Sequence, residues 1–414
     1  MKHNLRLHVA LVMAAFLPAV AYGIGLRTPN QHPEAVARGN AFVATANNPA
    51  AIYYNPAGIT QLEGHNVSLG VLNYLAIKTR YESPTGSESD AEFEVTPVPQ
   101  LYYVYSPTDC PLSFGLGAYA PFGLSVVWPE NTGFRSLAIE GRLKYFTVNP
   151  VVAWKAHRTF SLAIGPTINY SKLKITRGLV PGLGPTDTFK FKGDKFSFGF
   201  NAGVLWQPHK QWSFGANYRS ASTMEFDGTS TYNSTFLNSS AKTKARAPFP
   251  QIVSAGVSYR ATPKWNFEFD VDYTDWDTVD TVTLEGTQNL GIGGALGIPN
   301  FDLPLQLDWH GSWLYEFGVT RHLENGWFVS AGYFYSGETT PSKTFTPAVP
   351  DTELHVGSFG VGHTGQRWRW AIAAQIIAGP KRNITNSQPN FFSGESANGG
   401  YQLFVPTVSF SIGF

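Results

Sequence analysis

The sequence predicts an all-β protein: a 14-stranded antiparallel transmembrane β-barrel preceded by a short, partly helical N-terminal element. Three observations lead there. Fourteen segments alternate apolar with small polar residues at period two, the pattern of a strand with one apolar face. Their connections alternate between short turns and long loops, the layout of an outer-membrane barrel. Charged residues make up 14% of the 414 positions, while Phe, Tyr and Trp contribute 30, 19 and 11. An ordinary soluble domain is roughly 25% charged, so much of this surface is built to face something other than water.

The chain opens with Lys2 and Arg6, then an apolar run from Val9 to Val20 closing on Ala19-Val20-Ala21. That is the n-region, h-region and small-residue cleavage site of a secretory signal, expected at 1–21 with cleavage after Ala21 or Gly23. The run is too short to span a bilayer, and no other stretch reaches about 18 consecutive apolar residues. Residues 22–64 lack sustained alternation and form an element too short to bury its own core. Asn48-Pro49-Ala50 and Asn55-Pro56-Ala57 each offer Asn as a helix N-cap and Pro as first helical residue.

The barrel is expected over 65–414. Its strands centre near Val71, Val104, Leu116, Phe146, Ile164, Phe200, Ala216, Ala255, Phe269, Trp313, Ala331, Ser358, Ile372 and Val408. Short turns are expected at 107–111, 155–159, 207–211, 261–264, 321–326 and 364–367. Long loops are expected at 177–193, 227–247, 275–306 and 379–400. Trp154, Trp206, Trp212, Trp265, Trp327, Trp368 and Trp370 cluster beside the short turns, as an aromatic girdle at the headgroup level would. The last strand alternates Phe404, Pro406, Val408, Phe410, Ile412 and Phe414, an apolar face for lipid.

Several function classes drop out. A net charge of +1 leaves no electrostatic footprint for nucleic acid. Cys110 is the lone cysteine, so no internal disulfide or CxxC pair exists. There is no GxSxG elbow, HExxH helix or Walker A loop, and the ten His are scattered, so no enzyme, metal or cofactor is expected. Asp270, Asp272, Asp275, Asp277 and Asp280 cluster without the spacing of a Ca²⁺ loop. Asp270 and Asp272 fall on the lumen phase.

Three features point to apolar cargo. Two loops are unusually apolar: 179–185, including Leu179, Val180 and Leu183, and 290–299, including Leu290 and Ile292. They can gather an apolar ligand or simply close the mouth by packing together. Pro121, Phe122 and Gly123 interrupt the third strand, because proline removes a ladder donor. The resulting gap is either a plain bulge or a sideways exit into lipid. Arg219 and Arg260 lie on inward phases, where a charge needs a counter-ion. An ion pair with Glu268 or Asp270 is the favoured reading, a fatty-acid carboxylate the other.

The stretch 25–62 carries Ala35-Val36-Ala37-Arg38-Gly39-Asn40-Ala41 and Tyr54-Asn55-Pro56-Ala57-Gly58. It resembles the FadL/TodX family of outer-membrane transporters for hydrophobic compounds, as do Tyr273-Thr274-Asp275-Trp276 and the Phe-terminated last strand. The resemblance implies a monomeric barrel plugged by an N-terminal hatch (22–64), whose motif here is Asn55, Pro56, Ala57 and Gly58. It further implies capture by apolar loops, hatch rearrangement and lateral exit at a kinked third strand. The expected function is passive uptake of hydrophobic small molecules across the outer membrane of a Gram-negative cell. Long-chain fatty acids are the leading cargo and monoaromatic or aliphatic hydrocarbons the alternative, with a general porin or an outer-membrane hydrolase behind them. Outer-membrane lipid is the other expected partner.

Overall fold

The computed structural model describes residues 24–178, 187–234, 238–287, 302–390 and 393–414. Its strands join into one closed antiparallel barrel of fourteen staves. The first stave is β1 (Gly64–Glu82), against which the short β2 (Glu88–Asp90) folds back. The second is β3 (Glu94–Pro97) with β4 (Gln100–Ser106), and the third β5 (Leu112–Tyr119) with β6 (Gly123–Val127). The long β7 (Glu140–His157), β8 (Phe160–Gly178) and β9 (Thr188–His209) follow without a break.

The next four staves each come in two pieces. They are β10 (Trp212–Arg219) with β11 (Ser222–Asn233), and β12 (Asn238–Phe249) with β13 (Ile252–Thr262). Then come β14 (Trp265–Thr274) with β15 (Thr281–Glu285), and β16 (Leu303–Gln306) with β17 (Ser312–His322). The circuit ends with β18 (Trp327–Ser336), β19 (Leu354–Thr364), β20 (Arg369–Ala378) with β21 (Arg382–Ile384), and β22 (Gly399–Gly413). β22 pairs back onto β1 from Ser68↔Gly413 to Glu82↔Gly400, so the sheet has no free edge at the seam. Closure is what lets a sheet sit in hydrocarbon, where an unpaired backbone group costs several kcal/mol.

Alternation sets the two faces. Phe198, Ile164, Phe196 and Phe359 point outward and are 73%, 60%, 59% and 58% exposed, values that make sense only against lipid. Inward positions carry small polar residues such as Thr147, Asn149, Asn201, Ser409 and Ser411, all buried. Trp154, Trp206, Trp212, Trp265, Trp327 and Trp368 are exposed beside the short turns, while Trp370 is half-buried.

Every expected strand centre falls inside a strand, but several boundaries move. β7 runs to His157, β9 to His209 and β13 to Thr262, so three of the short turns shrink to two residues. The expected loop 227–247 is chiefly the hairpin of β11 and β12, paired from Ser222↔Phe249 to Asn233↔Asn238. This end of the hairpin lies beyond the apolar band, so its outward face needs no lipid-compatible residues and the alternation loses its apolar signal. The loops 177–193 and 275–306 likewise give up residues to β8, β9, β15 and β16.

Residues 24–62 fold inside the barrel as helices Pro33–Val36 and Ala51–Tyr54 and a 3₁₀ turn, Pro56–Gln61. Phe42, Ile52, Tyr53, Tyr54 and Ile59 pack against Tyr102, Tyr119, Val151 and Leu205 of the wall. Asn55 caps the 3₁₀ turn, accepting from the Ala57 amide at 3.2 Å. Asn48 differs from expectation: its Oδ1 takes the Ala50 amide at 2.9 Å, but the helix begins at Ala51, uncapped by a side chain. Close approach needs bare backbone on the wall. A Cβ at Gly332 would stand 2.0 Å from the Arg38 carbonyl carbon and 2.1 Å from the Gly39 nitrogen.

Gly332→Val therefore pushes the N-terminal segment off the wall while leaving the β18 ladder intact, a strain of about 1–3 kcal/mol. The variant barrel is expected to keep its heat-modifiable gel mobility yet be cut by trypsin after Arg38 several-fold faster than the parent. Equal cutting rates would show that the segment does not depend on this contact.

Candidate functional site

The third stave breaks at Ala120-Pro121-Phe122, between β5 and β6. β5 pairs with both β4 and β7, whereas β6 pairs with β7, from Gly123↔Lys144 to Val127↔Glu140. Among the described residues no strand pairing joins β6 to β3; the main-chain contact at the rim is Glu92 N–H to the Val127 carbonyl, 2.8 Å. Side chains bridge the gap instead. Glu94 accepts hydrogen bonds from Ser125 and from Arg142, and Arg142 also holds Glu140 at 2.7 Å.

On the inner side the N-terminal segment serves the break. Thr28 donates its amide to the Pro121 carbonyl at 2.8 Å, and Gly123 donates to the Leu26 carbonyl at 2.9 Å. Phe122 is buried, its ring 5.1 Å from those of Tyr145 and Phe249 and 6.0 Å from Trp276.

Lower in the lumen, two wall carboxylates hold the same segment. Asp270 accepts the amides of Phe42 and Val43, both at 2.7 Å, and Glu268 those of Ala44 and Thr45 at 2.8 and 2.9 Å. Arg38 adds an ion pair to Glu268 at 3.4 Å, Arg27 pairs with Asp272, and Arg369 grips Glu34, Nε to Oε1 at 2.6 Å. Both amides reach Oδ2 of Asp270, whose buried Oδ1 makes no hydrogen bond among the described residues. Asp270 and Asp272 thus face the lumen as the phase predicts, and Asp275 and Asp277 lie beyond the end of β14.

The expected counter-ions of the two arginines are corrected by this arrangement. Arg219 is buried, but it donates to the Tyr119 hydroxyl at 2.8 Å and lies 5.0 Å from the Tyr53 ring, with no carboxylate partner among the described residues. Cross-strand register explains it: Arg219 is level with Ile252 and Thr274, four residues along β14 from Asp270. At ~3.3 Å per residue that is about 13 Å, out of reach. Arg260 is level with Asn266 near the short turns, exposed, and lines cavities of about 310 and 490 Å³ at that end. In water it needs no buried partner.

A cavity of about 150 Å³ lies above the segment, against β6. Leu124, Val126, Phe334, Leu354, Ile377, Leu403 and Val405 give it an apolar lining, and Arg27 enters from the N-terminal segment. Arg27 Nη1 donates to Thr274 at 3.2 Å and Nη2 serves Asp272, while its buried Nε makes no hydrogen bond. Leu179, Val180, Leu183, Leu290 and Ile292 lie outside the described residues. Of the Asn55–Gly58 motif, Asn55 Nδ2 donates to Val43 and Val204 carbonyls at 2.8 and 2.9 Å, tying segment to wall. Pro56 begins the 3₁₀ turn, Ala57 is buried, and at Gly58 a Cβ would stand 2.2 Å from the Ala46 oxygen.

Sequence reasoning missed Arg27, Glu34 and His32. His32 is fully enclosed, its Nε2 3.1 Å from Ser68 and 3.3 Å from Ser411. Burial lowers it to about 4, with Arg369 and Arg38 adding to the effect and Glu34 opposing it. A lone His in a short helical stretch gives no pattern to find; only the fold reveals its seat.

Removing an acceptor that serves two buried amides costs roughly 1–3 kcal/mol for each group left unpaired. Asp270→Ala is therefore expected to loosen the segment and raise ion conductance of the barrel in planar bilayers; parent-like conductance would mean that Asp270 does not hold it. His32 gives a pH dependence. Its depressed value means that stability is complete above pH ~6.5 and is lost as pH falls toward 4. Conductance should rise between pH 6.5 and 4.5 in the parent and less steeply in His32→Gln.

Comparison with known proteins agrees with this geometry. The sequence profile described as outer membrane protein transport protein (OMPP1/FadL/TodX) matches residues 12–382. A long-chain fatty acid transport protein of Escherichia coli O6:H1 is 21% identical over 353 residues, 75% of this chain and 76% of that one. A FadL homologue of Pseudomonas aeruginosa superposes with TM-score 0.83 at 17% identity, covering 94% and 99% of the two chains. The toluene transporter TodX of Pseudomonas putida gives 0.71 at 16%, covering 95% and 98%. With the match spanning most of its length, this chain belongs to the OMPP1/FadL/TodX family of outer-membrane transport proteins and is a transporter, not an enzyme.

Proposed function

We propose that the protein is a passive channel that takes up long-chain fatty acids. In this reading ligand gathers at the apolar loops, enters the 150 Å³ cavity and leaves sideways between β3 and β6 when the N-terminal hatch (22–64) shifts. Behind it, the signal (1–21) is removed and 65–414 form the barrel. The observation that carries the cargo assignment is Arg27: a cation among the residues that line an apolar cavity, paired with Asp272, whose Nε–H is closed off by packing and makes no hydrogen bond. Once the hatch shifts and uncovers that donor, a carboxylate head satisfies it and its chain suits the lining, whereas toluene leaves the donor unmet. Arg219, buried among tyrosines, and Arg260, in water at the far end, are the weaker candidates for a carboxylate partner. Fatty-acid transport by the Escherichia coli relative points the same way. A hydrocarbon cargo is the second reading, favoured by the fold shared with the Pseudomonas putida toluene transporter. A general porin fits poorly with a lumen filled by Phe42, Ile52 and Tyr54. Transport runs downhill, drawn by consumption inside the cell.

The test is uptake of labelled oleate and toluene by cells lacking their own hydrophobic-compound channel and expressing this chain. Oleate uptake is expected, reduced about tenfold in Arg27→Gln, the scale of one lost charge-assisted hydrogen bond. Replacing Pro121 and Gly123 by Val should mend the strand and cut uptake further. Toluene uptake alone, indifferent to Arg27, would replace the fatty-acid reading by the hydrocarbon one; unchanged uptake in the mended strand would remove the lateral exit.

A further inference from the structure

We infer that the outer face of β7, β8 and β9 is a binding site for a phosphorylated lipid of the outer leaflet. The upper, outward positions of these three strands carry Lys144, Arg142, Lys172, Lys174, Lys190 and Lys192 against two carboxylates, Glu140 and Asp194. Register places the cations abreast. Lys144 is directly opposite Lys172, and Arg142, Lys174 and Lys192 form one row across three strands. Like charges directly opposite each other in a sheet are destabilising, and Asp194, opposite Lys172 on its other side, is the one carboxylate in these two rows. Glu140 engages Arg142 and Lys174, both at 2.7 Å, and Asp194 accepts from the Tyr170 hydroxyl at 3.2 Å. Among the described residues Lys144, Lys172, Lys190 and Lys192 have no ion pair.

The next rows down are apolar and outward. Phe146, Tyr170 and Phe196 stand abreast, then Val148, Ile168 and Phe198. Phe196 and Phe198 are 59% and 73% exposed. The cations therefore sit one row above an aromatic belt, at the long-loop end of the barrel, which is the headgroup level of the outer leaflet. Phosphate meets the lysines and acyl chains lie on the phenylalanines. The opposite staves lack it: the corresponding end of β17, β18 and β19 presents Tyr315, Tyr335 and His355 abreast, with no Lys or Arg in the row, whereas the outward cations of β12 stand level with Thr229, Asp227 and Glu225 of β11. The inference is independent of which cargo the channel carries.

The test titrates the full-length mature barrel in detergent with diphosphoryl lipid A, read by native mass spectrometry. The same lipid stripped of both phosphates is the comparison. The parent should bind the phosphorylated lipid and discriminate strongly against the stripped one. Lys144→Gln/Lys172→Gln/Lys192→Gln spares the cations that hold Glu140 and should weaken binding roughly a hundredfold, from on the order of fivefold per surface cation. The matching triple Lys→Arg variant should bind like the parent, and so should Lys381→Gln, a cation paired with Glu82 elsewhere on the rim. Heat-modifiable mobility verifies that each barrel is folded. Parent-like binding by the triple Gln variant, or equal binding of the phosphate-free lipid, would overturn the assignment.

Discussion

In hydrocarbon a backbone amide has no water to turn to, and leaving one unpaired costs several kcal/mol. That constraint closes β22 onto β1, and it also decides how the wall can be opened. At Pro121 the third strand loses a donor, and beyond it β6 parts from β3. The groups so released find partners on the inside: Pro121 accepts from Thr28, and Gly123 donates to Leu26. The same bonds that make the break tolerable tie it to the N-terminal segment. Break and segment thus satisfy each other's backbone groups.

The second tie is electrostatic, of a kind that geometry makes selective. Glu268 and Asp270 each take two successive backbone amides. Four N–H groups presented by 42–45 act together as one partial positive charge, in the manner of an anion-binding nest. Removing one partner of a buried charged pair is costly, on the order of 3–5 kcal/mol, because the other is left uncompensated. The attachment is therefore strong when the backbone has one shape and poor when it has another. Bonds below at Glu268 and Asp270 and above at Pro121 and Gly123 hold the ends of 26–45 at different heights, so the stretch between them, including Arg27, sits where its shape is over-determined.

The barrel was legible because the bilayer imposes a strong signal on sequence. Phe, Ile, Val and Trp must alternate outward wherever lipid touches, which located every stave and the exposed tryptophan row. Where lipid ends the signal ends too. The hairpin of β11 and β12 reads as a polar loop because Thr229, Lys242 and Lys244 face water. The interruption at Pro121 was visible for a local reason, the missing proline donor. The lumen was legible only in phase. Asp270 was placed inward correctly, but its partners lie more than 200 residues away in sequence. Neither periodicity nor spacing could reveal that they are amides, not arginines. Arg27 and His32 gave no signal, since each takes its meaning from contacts that exist only in the closed barrel.

The break in the wall also has an outside. Glu94, Ser125 and Arg142 span the gap between β3 and β6 on the outer surface, and Gly123, the first residue after the break, is directly opposite Lys144. Glu140 links this bridge to Lys174 and so to the cations of β8. Break, bridge and cationic rows thus occupy one sector, while β17 to β20 run without interruption or charge in the same band. A wall uniform around its circumference needs no such division. Concentrating polar groups beside this unpaired stretch gives β3 and β6 side-chain partners where backbone partners are missing. These partners can be exchanged for a headgroup or for water at far lower cost than a ladder of buried hydrogen bonds, so the outer seal is the weaker one. The stronger seal is the inner one, made by the backbone of Leu26 and Thr28 in the N-terminal segment.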